Sequence, residues 1–331
     1  LASPIDSDDI IARFGDKSTD PHLDAVFAAL NTLRRPALPD PDEYRYHDWV
    51  LVKRKGVELG FSDSQYHAAA EYSTWGTGDL ILTQAYFYSA FDDVKQFEGT
   101  LPHGLTFTDD RATVRKKLTA YEATRHSYRT DTWDVDGYRL NVTYDEGDVG
   151  IDRMACFVLP APIPREPEDV EFPTLARLTA AFGDPLKADA IEALWTVGWD
   201  DDSLDDARDD GDLDLTESYG VTVFYAGKRK KRLLRSFTLH RDHDEDSTSW
   251  GGELPNGLDF EDSPETLFAK MQAPPVRQDD EGLAGYAVWH LDDYTMHVLY
   301  SNLYNRLLRV TLHAPGTWKP VDSIDELMAD D

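Results

Sequence analysis

A block of twenty residues occurs twice in this chain, so the fold has to be one that can be built twice. Gly99 to Leu118 reads GTLPHGLTFTDDRATVRKKL, and Gly252 to Met271 reads GELPNGLDFEDSPETLFAKM. The copies lie 153 positions apart and share nine identities: Gly, Leu, Pro, Gly, Leu, Phe, Asp, Thr and Lys. Unrelated segments of this length share about one or two at ordinary residue frequencies. Self-similarity at a fixed period predicts a duplicated domain. It bears on function too, because catalysis asks for one asymmetric site, whereas a duplicated scaffold more readily presents a broad surface.

Shorter matches fall in the same order around the block. Arg13-Phe14-Gly15-Asp16 is answered by Ala181-Phe182-Gly183-Asp184, and Gly56-Val57-Glu58-Leu59 by Gly220-Val221-Thr222-Val223. Asp24 to Leu30 matches Asp189 to Leu194 with a one-residue gap, and Trp289, Asp292, Tyr294, Val298 and Tyr300 repeat residues of the earlier segment Trp133 to Tyr144. The boundary is predicted at Pro160-Ala161-Pro162-Ile163-Pro164, a stiff linker poor in hydrogen-bond donors. The units are then residues 1–162 and 163–331, the second ending in a tail in which Val321 to Met328 read as a short helix.

Local patterns predict the elements. Leu23, Val26, Phe27, Leu30 and Leu33 have helical spacing, ended by Pro36, Pro39 and Pro41. Trp49 to Val52, Val57 to Phe61 and Leu80 to Tyr88 read as strands around a polar loop, Ser62 to Asp79. Val221 to Tyr225 and Leu233 to Leu239 are their partners, joined by a hairpin loop at Ala226 to Arg232. In the block, Pro102 and Gly104 predict a turn, after which Asp109 caps a helix to about Leu118; Asp262 or Ser263 does so in the second copy. Then come three strands, with Asp136-Gly137 as a hairpin turn and Tyr138, Leu140, Val142 and Tyr144 on one face. The fold class predicted is α+β: two tandem homologous domains, each with helices packed on a mostly antiparallel sheet.

The chain has 63 acidic and 33 basic residues, a net charge of −30 and a pI near 4.5. Such a field repels nucleic acid and anionic membrane and attracts cationic partners; the general acidity of a salt-adapted organism is the competing cause. With 331 residues, eight Trp, sixteen Tyr and fourteen Phe, the chain has material for two cores. Cys156, the only cysteine, makes no intrachain disulfide and favours a reducing compartment. No apolar run reaches the ~20 residues of a membrane span. No signal-peptide pattern opens the sequence, which starts at Leu1; a leader removed before that residue stays open.

Three segments carry candidate chemistry. Between Asp200 and Asp214, the residues Asp206, Asp210, Gly211, Asp212, Asp214 and Glu217 fall at positions 1, 5, 6, 7, 9 and 12 of a calcium loop, but Arg208 stands where a ligand belongs. A solvated loop or a surface for a basic partner fits better. His240 to Asp246 holds zinc-capable His240 and His243 without a further clustered ligand. Gly227 to Arg232 is a basic island that could touch phosphate or serve in localisation, and its place between two strands favours a solvated hairpin tip. No phosphate loop, nucleophile elbow, paired-cysteine motif or HExxH occurs.

The ordered set FGD…DAVFAAL, GVELGF, FEGTLPHGLTFTDDRATVRKKL and WDVDGYRLNVTYD resembles a group of bacterial proteins with an LPxGLxFxxxxxxVxxxLG block. That group is associated with immunity against polymorphic or type VI secreted toxins. The likeness covers nearly the whole chain, once per half, and departs where Thr119 and Gln272 replace the Gly after the helix. The order of helices and strands also looks like the tandem fold of β-lactamase inhibitor proteins, a likeness of architecture alone. The resemblance implies a cytoplasmic immunity protein, with no enzymatic activity and no cofactor, that neutralises a basic toxin by occluding its cleft, a nuclease-type effector fitting best. The charges expected at that interface are Asp200, Asp201, Asp202, Asp205, Asp206, Asp209, Asp210, Asp212, Asp214, Asp242, Asp244, Glu245 and Asp246, with Trp199 and Trp250 as exposed anchors. The alternatives are a hydrolase on a duplicated scaffold and a calcium-binding structural module.

Overall fold

The structure, a computed structural model, describes residues 5–38, 45–121, 123–280 and 282–320. Pro39, Pro41 and the tail helix expected at Val321 to Met328 lie outside the described residues. The chain divides into two compact units, Leu1–Pro162 with Asn302–Asn305, and Ile163–Ser301 with Arg306–Asp331.

The first unit contains helices α1 (Ser7–Ile11), α2 (Pro21–Ala29), α3 (Ser64–His67) and α4 (Arg111–Lys117). Its strands are β1 (His47–Val52), β2 (Val57–Asp63), β3 (Leu80–Tyr88), β4 (Ala123–His126), β5 (Thr130–Val135), β6 (Tyr138–Tyr144) and β7 (Ile151–Phe157). The second contains α5 (Leu175–Ala180), α6 (Ala188–Glu192), α7 (Asp201–Asp210) and α8 (Pro264–Met271). Its strands are β8 (Asp212–Leu215), β9 (Val221–Ala226), β10 (Leu233–His240), β11 (Arg277–Asp279), β12 (Ala284–His290), β13 (Thr295–Ser301) and β14 (Arg306–His313). The sheets run β1-β2-β3-β7-β6-β5-β4 and β8-β9-β10-β14-β13-β12-β11, one strand order used twice. Every pairing is antiparallel. Each unit is an α+β domain in which helices pack on an antiparallel sheet: α1, α2 and α4 share one core with the first sheet, and α5 to α8 share one with the second.

Alternation explains which face is covered. Trp133, Leu140, Val142, Tyr144, Met154 and Cys156 point to one side of the first sheet and pack with Ile10, Leu23, Phe27 and Val114 from the helices. In the second unit Phe237, Leu239, Trp289, Val298, Tyr300, Val310 and Leu312 meet Leu178, Ile191, Leu204 and Leu267. Removing so much apolar surface from water is the main stabilising term, about 25 cal/mol per Å².

Several expectations need correction. The helix expected to run through Leu33 ends at Ala29, where Asn31 takes φ 51°, and Leu33 is 98% exposed. The sequence reading did not include the edge strands β4, β8 and β11, which are three or four residues long: β4 and β11 are mostly polar, and β8 alternates Asp and Leu but over only four residues, inside a run dominated by aspartate. Asp110, not Asp109, caps α4 by accepting from the Thr113 amide. Asp109 instead accepts from the Thr106 amide at 2.8 Å and pairs with Lys117 at 2.7 Å, while Lys117 also donates to the Gly104 carbonyl. The second unit has the same clasp: Asp262 accepts from the Asp259 amide, and Lys270 bonds Asp262 and the Gly257 carbonyl. The Asp and Lys shared by the two blocks thus tie the LPxG turn to the helix that follows it.

Candidate functional site

The aspartate run is not a loop. Asp200 caps α7, its carboxylate accepting from the Ser203 amide at 2.8 Å, and Leu204 and Ala207, three apart, bury one side of the helix. Gly211, at φ 100°, ends it. The outer side exposes Asp201, Asp202, Asp205, Asp206, Asp209 and Asp210. Asp206 and Asp210 therefore sit on a helix and Asp212 and Asp214 on a strand, which overturns the calcium-loop spacing. The basic island is, as expected, the exposed tip of the β9–β10 hairpin, and two of its cations are engaged. Arg229 pairs with Asp209 at 2.5 Å, and Arg232 donates to the carbonyls of Arg208 at 3.0 Å and Asp209 at 2.7 Å. These are cations placed where the negative end of the helix dipole favours them. Arg208 also pairs with Asp205. Asp201, Asp202, Asp206 and Asp210 have no cationic partner among the described residues. Burial, then the charges of Asp210 and Asp214, raise the pKa of Asp212.

The 240–246 segment turns most of its charge inward. His240 bonds Asp244 through Nδ1 at 2.8 Å and Thr222 through Nε2 at 2.9 Å. Arg309 reaches both Asp244 and Glu245 at 2.8 Å. Asp242 holds His243 at 2.6 Å and accepts from the Ile163 amide at 2.9 Å, and Asp246 is half-buried. The two histidines answer different carboxylates and do not converge on a zinc position. Among the described residues, Asp16, Asp20 and His22 are the one group of three whose ligand atoms come within 4.8 Å of one another, and there Asp20 is occupied in capping α2. Of the expected anchors, Trp250 is a core residue, 4% exposed and edge-on to Phe172 at 5.0 Å. Trp199 is half-buried and donates to the Trp195 carbonyl.

The first unit holds a cluster that the sequence did not point to. The polar loop expected at Ser62 to Asp79 carries a ladder of rings. Trp49 lies 5.7 Å from His47, His47 5.1 Å from Tyr66, Tyr66 4.9 Å from Trp75, and Trp75 4.9 Å from Tyr72, centroid to centroid. Tyr46 stacks on Tyr66 at 4.7 Å. The fully buried carboxylate of Asp63 pins the loop at both ends, accepting from the amides of Gln65, Tyr66 and Gly78. A signal was present: eight aromatic or imidazole residues fall from Tyr46 to Trp75, three of them (Tyr66, Tyr72 and Trp75) with His67 inside the loop read as polar. A second cluster is ionic. Asp131, fully buried, accepts from Arg111 at 2.6 Å, Arg115 at 2.7 Å and Tyr144 at 3.1 Å, with His126 at 2.8 Å. In the second unit a cleft of about 340 Å³ is lined by Arg241, Asp242, Trp250, Leu254, Phe260 and Glu261 among others. Its charges face each other, with Arg241 at 3.8 Å from Glu261. No helix among the described residues is long and apolar enough to cross a membrane. No protein-family model, curated protein or solved structure matches this chain.

Proposed function

We propose that the protein acts by binding and blocking a basic protein partner, in the cytoplasm, as an immunity protein blocks its cognate toxin. The observation that carries this reading is the outer side of α7. Asp201/Asp205, Asp202/Asp206, Asp205/Asp209 and Asp206/Asp210 are like-charge pairs at i, i+4. Each such pair costs a helix about 0.2–0.5 kcal/mol. A helix selected for stability alone would place Lys or Arg at alternate positions. A docked cationic surface relieves the repulsion, so the cost is recovered in the complex.

Such a surface steers encounter by its field and then covers a positive cleft. A nuclease-type toxin has that cleft because its substrate is a chain of phosphates, which a row of carboxylates imitates. The resemblance of the repeated LPxGLxF block to toxin-immunity proteins agrees with this chemistry. The test uses the intact chain as bait in lysate of a source strain that expresses its secreted effectors. Capture of one basic protein whose activity falls on binding, with recovery lost at high salt, supports the reading. Recovery of no basic protein at low salt overturns it.

A further inference from the structure

The cleft of the second unit carries charges that the first copy of the fold lacks. The same backbone bonds mark equivalent places in the two units. Phe97 N donates to the Tyr88 carbonyl as Trp250 N does to that of His240, and Ile151 N donates to the Phe107 carbonyl as Leu307 N does to that of Phe260. Arg241, Glu261 and Arg306 therefore stand where the first unit has Ser89, Thr108 and Gly150, and Asp259 where it has Thr106. The first unit makes the same fold without these charges, so the scaffold does not require them. Taking ionised groups out of water is unfavourable unless they are answered, and the side chains of Arg241 and Arg306 are only 14% and 9% exposed. A charge set present in one copy alone is what a site for one ligand needs.

The charges lie together. Arg241 Nη2 and Arg306 Nη1 are 3.8 and 3.9 Å from the same Glu261 oxygen. Asp259 adjoins them, its carboxylate accepting from the Glu261 amide at 2.8 Å. Arg241, Asp259 and Glu261 line the cleft with the apolar side chains of Trp250, Leu258 and Phe260. Its volume of about 340 Å³ falls within the range of small-molecule sites, about 300–1,000 Å³. The charge of the ligand follows from that of the protein. A net charge of −30 repels a free anion, and a free cation would meet two guanidiniums. A zwitterion has no net charge, and its two charged groups stand side by side as those of Arg241 and Glu261 do. We propose that this cleft binds a small zwitterion of the α-amino-acid type with an apolar side chain. Its carboxylate lies on the Arg241 guanidinium, whose planar fork suits that group, and its ammonium on Glu261. Trp250, Leu258 and Phe260 take the side chain. The inference does not rest on the basic-partner reading and adds a small-molecule site to it.

The test is calorimetry on the intact protein with L-leucine and L-phenylalanine, and with the two halves of leucine: isocaproate, which lacks the ammonium, and isoamylamine, which lacks the carboxylate. At least one of the amino acids is expected to bind, and each half of leucine more weakly than leucine itself. Glu261→Gln is expected to weaken amino-acid binding about tenfold and to leave isocaproate unchanged. The comparison of whole and half ligands is made on the unaltered protein, so it holds even if that variant folds poorly. Isocaproate binding as tightly as L-leucine would make this a site for a plain anion and overturn the zwitterion. Binding of neither amino acid at millimolar concentration, or binding that Glu261→Gln leaves unchanged, would also overturn it. None of these outcomes bears on the capture of a basic protein.

Discussion

Asp131 shows how much one side chain can organise. Burial alone would raise its pKa, but hydrogen bonds from Arg115 and Arg111, the charge of Arg111 and the bond to His126 outweigh that and hold it well below the ordinary carboxylate range. Its unfolded value is near 3.8, so the stabilisation is complete above that pH and is lost as pH falls toward the lower folded value. Asp131→Asn leaves two guanidiniums without their buried counter-charge, and about 3–5 kcal/mol of unfolding free energy should go with it, measured by urea denaturation at pH 7. The variant should also lose the part of the acid dependence that lies below pH 3.8. His313 works in the opposite charge sense. Burial, then the neighbouring His297, push it down to about 4 from 6.5, and the rings lie 6.5 Å apart. The unfolded chain gains a proton near 6.5 that the folded chain refuses until about 4, so stability falls as pH drops through that window. His313→Gln should flatten this slope in urea melts run from pH 7 to pH 4. Neither group was legible in the sequence. The Arg111 and Arg115 pair stands in the repeated block, but the carboxylate they share comes from a strand that only the fold brings beside them. At the corresponding places of the second block stand Pro264 and Phe268, and Phe268 packs edge-on to Tyr300 instead.

At the scale of elements, tight turns separate what was legible from what was not. The glycines of the repeated block were visible as turn formers, and Gly104 and Gly257 do sit at φ 68° and 66°. Space around Gly104 is open, so Gly104→Ala meets only the left-handed backbone cost, about 1–2 kcal/mol. Gly56 has a similar φ of 61°, yet a Cβ there would come within 2.1 Å of the Lys95 carbonyl oxygen, and at Gly220 within 2.3 Å of that of Thr248. Gly56→Ala must therefore move backbone, and thermal melts should show a far larger loss than for Gly104→Ala. Equal losses would mean that the turn after β1 is loose. The helix α7 was missed for a physical reason: aspartate is a weak helix former, and only Leu204 and Ala207 mark a buried side. What makes the helix stand is context. Asp200 caps it, Gly211 ends it, and Arg229 and Arg232 reach its last turn from the β9–β10 hairpin. The meander after each block was read well because alternation over seven residues is a strong signal, and the short edge strands were not, because β4 and β11 are mostly polar and the alternation of β8 runs for only four residues.

For the whole molecule the net charge of −30 was plain from composition, but its distribution was not. Asp242, Asp244 and Glu245 spend their charge on His243, His240 and Arg309, while α7 keeps four carboxylates unanswered among the described residues. That distinction gives a test of whether acidity serves a partner or is a general trait of the source proteome. Asp206 and Asp210 stand in the later part of α7, where the helix dipole disfavours negative charge, and each faces a like charge one turn away. Asp206→Asn/Asp210→Asn should raise stability by about 0.5–1 kcal/mol at low salt, since two repulsive pairs and an unfavourable dipole contact are removed. The gain should vanish near 1 M salt, where the screening length is about 3 Å. If the helix is a binding surface, the same double variant should associate more slowly with the captured basic partner at low salt, with the difference again erased by salt. More stable but slower to bind is the outcome expected of a surface whose repulsion is kept for recognition. More stable with unchanged association would assign the aspartates to general acidity and move the search for the partner contact to the first unit.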